Sequence, residues 1–288
     1  MNSGSSIETR IKESTKNLFT KLPFSLVAES FRGLGACLLY HRVLPNGNTP
    51  SALPSNPYLE VTESNFEAQM EIVSTGNPVA VPKMIELLKK GKLPHGSIAV
   101  TFDDGYRDNL TSALPILEKF GIPATIYIAP ALIDGSVSAW WYKNDNENKS
   151  LFLNWDELKC LSKHPLITIG AHTVNHAVLS ELTCDQLKYE LSECKSILEK
   201  RLGVEVQHLA YPYGSALHAG RREFEAANEV YHSAFTTRNG HLHLRHRRHL
   251  TALPRITVQL NDSIKIFKRK LSGVDAMFAS RGRRVVTD

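Results

Sequence analysis

The chain has 288 residues, of which 42% are hydrophobic, 22% charged and 8% aromatic. This composition is typical of a folded globular protein and excludes collagen-like, intrinsically disordered and disulfide-scaffold proteins. Lysine and arginine total 34 against 29 aspartate and glutamate residues, a formal net charge of +5. An excess this small is not that of a dedicated nucleic-acid binder, so we expect no nucleic-acid partner.

The N-terminal region, residues 1–35, is predicted to be a helical extension. Its basic residues precede an apolar stretch at 22–28 that imitates a secretory signal only weakly, because it is short, contains Pro23 and lacks a small-residue cleavage site. No apolar run approaches the roughly 18 residues that a membrane span needs. We therefore expect a cytoplasmic protein. The alternative is an amphipathic N-terminal helix that makes a peripheral contact with the inner face of the membrane.

Strand and helix patterns alternate after this extension. Most candidate strands are continuous apolar runs rich in Val, Ile and Tyr, as expected when helices cover both faces of a parallel sheet. The predicted strands are 36–43, 78–81, 97–103, 124–129, 166–171, 206–211, 233–237 and 253–260.

The intervening segments have helical periodicity. The pattern is clearest at 184–202, where apolar residues recur every three or four positions, Thr183 and Gln186 form a capping box and Gly203 marks the end. The predicted helices are 64–74, 82–90, 106–120, 155–162, 184–202, 221–231 and 262–271.

About eight strands with intervening helices, and no linker rich in Pro, Gly or Ser, predict one α/β barrel over residues 36–272 rather than two domains. Residues 273–288 are predicted to be a basic tail. Loops at the carboxyl ends of barrel strands build the site in this architecture, so the insertions at 45–57 and 136–150 are candidate rim loops. The second insertion contains Trp140, Trp141 and Tyr142, which either stack on sugar rings or anchor the loop.

The four cysteines are interpreted as reduced packing residues. They form no CxxC pair and lie in apolar or helical contexts, which suits a reducing compartment. They are Cys37, Cys160, Cys184 and Cys194.

The strand at 97–103 ends in two adjacent carboxylates, Asp103 and Asp104, followed by Gly105. The glycine allows a sharp turn that brings both carboxylates to the mouth of a barrel. Two like charges this close raise the pKa of one carboxyl unless a cation lies between them, which favours a metal site. The alternative is an Asp-Asp-Gly turn that caps the following helix.

A second apolar strand, 166–171, is followed by His172 and His176. Two imidazoles and one carboxylate form a ligand set that leaves a coordination position open for water. An HxxxH pattern alone is weak, and two surface loop residues are the alternative. The placement of both polar pairs after apolar strands favours a shared site, because a barrel brings such positions to one mouth.

A third strand, 206–211, runs into Pro212, Tyr213 and Gly214. Proline and glycine favour a tight turn here. The backbone NH of Tyr213 is then a candidate donor to a developing oxyanion. The alternative is that these residues are only a turn.

Three strand-end motifs therefore occur in order: TFDDG at 101–105, HTVNH at 172–176 and YPYG at 211–214. Together they resemble the polysaccharide deacetylases of the NodB-homology type, carbohydrate esterase family 4, over residues 36–260. The resemblance implies a distorted (β/α) barrel that removes acetyl groups from N-acetylated sugars with a divalent metal, usually Zn²⁺. It implies that Asp104, His172 and His176 hold the metal and that Asp103 is the general base.

The sequence departs from the family pattern in two places. The usual arginine three residues before Tyr213 is Ala210 here, and Arg255 is the expected replacement that orients Asp103. The C-terminal motif that supplies a general-acid histidine is not evident after Gly214. His41, at the end of an apolar run, is the expected replacement, because some deacetylases of poly-N-acetylglucosamine resemble this arrangement. The alternative is a strand-end histidine satisfied by backbone hydrogen bonds.

One motif has no place in this scheme. Between residues 241 and 249, histidines alternate with leucines and arginines, and we interpret the segment as a solvated surface edge. The alternative is an anion-binding rim for a phosphate-bearing or acidic glycan. The histidines are His241, His243, His246 and His249.

The sequence supports three functional hypotheses. The first is a metal-dependent N-deacetylase whose partner is an N-acetylated glycan or glycolipid. The second is an amidohydrolase of the same fold that acts on a small non-sugar amide. The third is an inactive carbohydrate-binding barrel, against which the intact set of carboxylates and histidines argues.

Overall fold

The computed structural model describes residues 33–47, 59–137 and 151–275. The predicted N-terminal extension up to residue 32, the tail from 276 and most of the two candidate rim loops lie outside the described residues. Trp140, Trp141 and Tyr142 also lie outside them.

The strands of the described chain form a barrel and a small accessory sheet. Residues rich in β-branched and aromatic side chains form each long strand, and nearly all of these positions are buried. The strands are β1 (Gly35–Tyr40), β2 (Arg42–Leu44), β3 (Glu60–Thr62), β4 (Asn77–Pro78), β5 (Ser97–Phe102), β6 (Ala124–Ile128), β7 (Ile167–Ala171), β8 (His208–Ala210), β9 (Ser233–Asn239) and β10 (Leu253–Thr257).

Helices surround the barrel. They are α1 (Glu63–Ser74), α2 (Val81–Lys89), α3 (Leu114–Phe120), α4 (Pro130–Asp134), α5 (Trp155–Leu161), α6 (Cys184–Leu202), α7 (Arg221–Asn228) and α8 (Ile264–Leu271). A π-helical turn at Asn109–Ala113 precedes α3, and two 3₁₀ turns occupy Leu179–Glu181 and Leu244–Arg248.

The barrel is closed by its first strand. β1 pairs in parallel with β10, where Leu38 lies opposite Ile256, and with β5, where Gly35 lies opposite Ser97. The sheet order is therefore a ring of seven parallel strands, β1-β10-β9-β8-β7-β6-β5, and β4 pairs only with the start of β5. The predicted parallel barrel is confirmed, with one strand fewer in the ring than the sequence indicates.

Several predicted element boundaries are wrong. The strand predicted at 36–43 divides at His41 into β1 and β2, and β2 pairs with β3, which the sequence analysis missed. The helix predicted at 106–120 begins as the π-helical turn at Asn109, and α3 starts one residue before Pro115. The backbone stays helical through Ala113 and Leu114, and the hydrogen-bond pattern changes from π to α beside Pro115, which lacks the NH that an α-helical bond needs.

Helix α6 follows the prediction closely. Thr183 and Gln186 form the expected reciprocal capping box, and Gly203 ends the helix at a left-handed φ of 70°. Leu187, Leu191 and other members of its apolar face pack into the main core, where each buried leucine stabilises the fold by about 1.5–3 kcal/mol.

The cysteine prediction is half right. Cys37 and Cys194 are buried, whereas Cys160 and Cys184 are exposed on α5 and α6. All four are free thiols. An exposed helical position does not require an apolar side chain, so the helical context of Cys160 and Cys184 did not indicate packing.

The prediction that 241–249 forms a surface edge is also wrong in part. His241 and His246 are buried, at 3% and 0% exposure, while Leu244 and the arginines beside it are exposed. The compact 3₁₀ turn at Leu244–Arg248 turns His246 inward and leaves the other four side chains exposed, which a strand-like reading of the alternation does not reveal. Among the described helices, none has both the length and the apolar character to cross a bilayer.

Candidate active site

A cavity of about 470 Å³ opens at the carboxyl ends of the barrel strands. Its lining includes Asp103 and Asp104 after β5, His172 and His176 after β7, and Tyr213 after β8. Parallel strands present their carboxyl ends on one side, so the closed barrel brings these distant segments together. His41, which follows β1, lines the same cavity.

Three potential ligand atoms converge in this cavity. The Oδ1 atom of Asp104 lies 3.3 Å from His172 Nε2 and 3.3 Å from His176 Nε2. The three ligand atoms lie within 4.8 Å of one another, and Asp104 and His172 are buried. One carboxylate and two imidazoles at this separation can share a single divalent cation.

The orientation of His172 fits this role. Its Nδ1 lies 2.7 Å from the carbonyl oxygen of Ala210, which can only accept a hydrogen bond. The ring proton of a neutral His172 is thereby fixed on Nδ1, so Nε2 presents a lone pair to the cavity. Ala210 is the position where the family resemblance implies an arginine, and here its backbone carbonyl holds a candidate ligand in place.

The Asp104 carboxylate also fits a metal site. Its Oδ1 is buried and makes no hydrogen bond within the described chain, although buried polar atoms are almost always satisfied. Burial raises the pKa of Asp104, but the two imidazoles outweigh burial and hold the pKa well below its ordinary value. The imidazole protons supply this effect, and a divalent cation that displaces them would meet one ionised oxygen and two nitrogen lone pairs.

Asp103 lies beside this set and is held by Arg255. Arg255 Nη1 and Nη2 donate to the two carboxylate oxygens at 2.7 Å each, and the Arg255 side chain is fully buried. Arg255 Nε donates to the carbonyl of Thr236 at 3.0 Å, which fixes the guanidinium. Burial raises the pKa of Asp103, but the Arg255 charge outweighs burial and holds this pKa below its ordinary value. Asp103 is therefore an ionised carboxylate in a fixed orientation.

The backbone is strained at the same place. The non-glycine residues with positive φ in the described chain are Asp104 (74°), Thr173 (62°), His176 (53°) and Tyr213 (61°). Each belongs to one of the three strand-end motifs. Left-handed φ costs a non-glycine residue roughly 1–2 kcal/mol and persists where surrounding contacts enforce it, commonly at functional sites.

The loop that carries Tyr213 is anchored to β9. Thr237 Oγ1 donates to the carbonyl of Tyr213 at 2.6 Å, and the Thr237 NH donates to the carbonyl of Gly214 at 3.0 Å. The Tyr213 ring lies against His176 with centroids 5.0 Å apart and against His218 at 5.3 Å. The assignment of the Tyr213 NH as an oxyanion donor stays a prediction.

His41 occupies the short gap between β1 and β2. Its backbone carbonyl accepts a hydrogen bond from Asn109 Nδ2 at 2.8 Å, so the π-helical turn positions it. The His41 Nδ1 is buried and makes no hydrogen bond within the described chain. Burial lowers the pKa of His41 below its ordinary value, against the opposing effect of the charges on Asp104 and Asp103.

The sequence analysis missed Glu190, which organises the histidine loop. This α6 residue is 5% exposed, and its carboxylate accepts hydrogen bonds from the Val174 NH at 2.8 Å, the Asn175 NH at 3.0 Å and Asn175 Nδ2 at 2.6 Å. A signal was present, because Glu190 lies three residues after Leu187 and four before Cys194, inside the apolar stripe of α6. A carboxylate in such a stripe needs buried partners.

The site and the closed parallel barrel together define a (β/α) barrel protein with a candidate metal centre at its mouth. Residues 90–230 match the family model described as polysaccharide deacetylase. Over these residues, just under half of the chain, the protein is similar to the polysaccharide deacetylase family.

Individual relatives are more distant. YxkH of Bacillus subtilis strain 168 is 30% identical over 180 residues, which cover 62% of this chain and 56% of YxkH. The poly-beta-1,6-N-acetyl-D-glucosamine N-deacetylase of Escherichia coli K12 is 23% identical over 223 residues, 67% of this chain and 32% of that protein. The match thus spans about half of one relative and a third of the other.

A solved structure shares the fold. The deacetylase PplD of Streptococcus pyogenes superposes with a TM-score of 0.68 at 23% identity, covering 82% of this chain and 97% of PplD. This likeness agrees with the barrel topology described above.

Proposed function

We propose that this protein is a metal-dependent hydrolase that removes N-acetyl groups from an N-acetylated sugar in a polysaccharide or glycan intermediate. The observation that supports it most strongly is the convergence of Asp104, His172 and His176 beside an ionised Asp103 in one cavity. The family match and the E. coli relative, named as an N-deacetylase of a polysaccharide, favour this substrate class.

An amide is a poor electrophile, so its hydrolysis needs an activated water, a stabilised oxyanion and a proton for the leaving nitrogen. A divalent cation held by Asp104, His172 and His176, with Zn²⁺ favoured by the ligand set, supplies Lewis acidity toward water and the amide carbonyl when it is bound.

The chain's own residues have the remaining roles. Asp103 takes the proton of the attacking water, and Arg255 keeps its carboxylate ionised and oriented. The backbone NH of Tyr213 donates to the developing oxyanion. His41, which lines the same cavity, protonates the departing nitrogen.

The metal and general-base assignments are tested with two variants and a control. Asp104→Ala is expected to lose both stoichiometric metal, measured by elemental analysis, and deacetylation of N-acetylated oligosaccharides, measured by mass. Asp103→Asn is expected to keep the metal and lose roughly 10²- to 10⁴-fold in turnover. Asp156→Asn, at an exposed position on α5, provides the matched control. Full activity in metal-free Asp104→Ala would refute the proposal.

The role of His41 is tested with two substrates whose leaving groups differ in their need for a proton. His41→Gln is expected to keep the metal but lose most deacetylation of a sugar amide. It should lose much less hydrolysis of p-nitrophenyl acetate, because nitrophenolate departs without a proton. An equal loss on both substrates would exclude His41 as the general acid.

A further inference from the structure

The end of the barrel opposite the catalytic cavity carries a concentrated positive charge. The C-terminal end of α2 and the turn that follows it lie there, against the 3₁₀ turn Leu244–Arg248. A β-carbon at Gly91 would lie 3.3 Å from Arg247 Nη1 and 3.5 Å from Leu244 Cδ1, so these two segments form one surface. We call this surface the basal face and define it by Lys89, Lys92, Arg245, Arg247 and Arg248.

The basal face lies at the amino ends of the strands. The Leu34 NH donates to the carbonyl of Leu242 at 2.7 Å, and the Leu242 NH donates to the carbonyl of Gly35 at the start of β1. Because the ring is parallel, β1 separates this face from the catalytic cavity by about 20 Å, at roughly 3.3 Å per residue. A partner on the basal face therefore leaves the cavity open.

Within the described part of the chain, no acidic side chain compensates the charge of the basal face. Residues 87–102 and 230–261 contain no Asp or Glu. All five basic residues are exposed, and none of them makes an ion pair with another described residue. The nearby Glu86 pairs instead with Lys83 and Lys90. Exposed unpaired charges of one sign attract an extended anionic surface.

Two further observations favour a lipid surface over a soluble polyanion. Leu244, at 46% exposure, projects from among the arginines, and an apolar side chain within a basic cluster suits the boundary between headgroups and acyl chains. In addition, the sequence of residues 1–32, which leads into Gly33, contains five basic and three acidic residues together with apolar ones.

A cavity on the same end of the barrel agrees with an anionic partner. It has a volume of about 470 Å³, and its lining includes His95, His241 and Lys268 but no carboxylate. His95 lies beside the basal face, since its Nδ1 is 3.2 Å from the carbonyl of Gly33.

We propose that the basal face docks this protein onto an anionic phospholipid membrane. Arginine and lysine side chains contact the headgroup phosphates, Leu244 enters the interface, and the catalytic cavity faces away from the bilayer. This inference does not depend on the proposed activity, because binding is measured without any substrate.

The test is co-sedimentation of the full chain with phosphatidylcholine vesicles that contain or lack phosphatidylglycerol. The chain is expected to bind only the anionic vesicles, with an affinity that falls as salt rises. The triple variant Arg245→Gln, Arg247→Gln and Arg248→Gln is expected to partition roughly 100-fold less, since each basic residue near an anionic surface contributes about 1 kcal/mol. Leu244→Ser is expected to weaken the binding that remains at high salt.

A matched control distinguishes an effect of the basal face from an effect of the net charge of the protein. Lys159→Gln, Lys163→Gln and Lys188→Gln together remove the same charge from exposed positions in and around α5 and α6. Equal loss in this control, or unchanged binding of the arginine triple variant, would overturn the basal face as the docking surface. Binding of a soluble polyanion such as heparin without binding of anionic vesicles would overturn the lipid assignment.

Discussion

The two ends of this barrel handle charge in opposite ways. At the mouth, the charged groups Asp103, Asp104 and Arg255 are buried, paired at defined distances and accompanied by strained backbone. At the base, Arg245 and Arg247 are exposed and make no ion pair with another residue that the structure describes. A buried charge is costly unless a partner meets it in a fixed geometry, whereas an exposed one is solvated and tolerates change. Substitutions at the two ends should therefore differ greatly in effect.

The largest effect on stability is expected at Arg255. Arg255→Gln leaves the Asp103 carboxylate buried without a counter-charge, and removing one partner of such a pair costs about 3–5 kcal/mol. Urea denaturation measures this change. Arg255→Lys keeps the charge but not the bidentate geometry and should recover part of the loss. If the urea midpoint of Arg255→Gln equalled that of the wild type, the charged groups at the mouth would be no more sensitive to substitution than those at the base.

The second prediction concerns the pH dependence of stability. It qualifies the contrast between the two ends of the barrel, because the base also contains buried titratable groups. Burial, with smaller effects from His232 and Lys195, lowers the pKa of His208 to about 4. Burial also lowers the pKa of His246 to about 3. In the unfolded chain these histidines bind protons below about pH 6.5. In the folded chain they bind protons only when the pH falls to their lowered pKa values.

The free energy of unfolding is therefore expected to fall as the pH drops from about 6.5 to about 4. For His208 the upper limit is about 3 kcal/mol, at 1.36 kcal/mol for each pKa unit. Urea midpoints across this range measure the slope, and His208→Gln, which retains a polar group for Ser233, should make it shallower. If the urea midpoints of the wild type and of His208→Gln changed equally with pH, His208 would not be a cause of the pH dependence.

A smaller effect is expected at Glu190, which contacts the histidine loop rather than the reacting groups. Glu190→Gln weakens the hydrogen bonds to Val174 and Asn175, and loss of such support typically costs 10- to 100-fold in metal affinity. Competition with a chelator measures this affinity. Glu193→Gln, on the same helix but away from the loop, is the control. Equal metal affinity in both variants would show that the loop keeps its shape without Glu190.

The smallest effect is expected for the basal arginines on soluble substrate. The triple variant Arg245→Gln, Arg247→Gln and Arg248→Gln should change the free energy of unfolding by no more than about 0.5 kcal/mol for each substitution, as at other exposed positions. Its turnover on a soluble oligosaccharide should equal that of the wild type. A loss of turnover without vesicles would show that the two ends are coupled.

Much of the mouth was predictable because its residues follow apolar strands in sequence. Asp103, Asp104, His172 and His176 each come at or just after the end of such a strand, and parallel strands place those ends together. Glu190 was missed because its partners belong to a loop 15 residues earlier in the chain. His246 was misread because an alternation of polar and apolar residues does not distinguish a strand from a tight 3₁₀ turn.

The sequence by itself determined the order of the ring strands and of most helices, the capping of α6 and the three motifs at strand ends, because these depend on local periodicity and turn chemistry. Only the tertiary structure decided that β1 closes the ring between β10 and β5, that Arg255 meets Asp103 across 152 positions of the chain, and that α2 and the 3₁₀ turn combine into one basic surface. Such long-range contacts depend on how the whole barrel closes, and no local pattern encodes that closure.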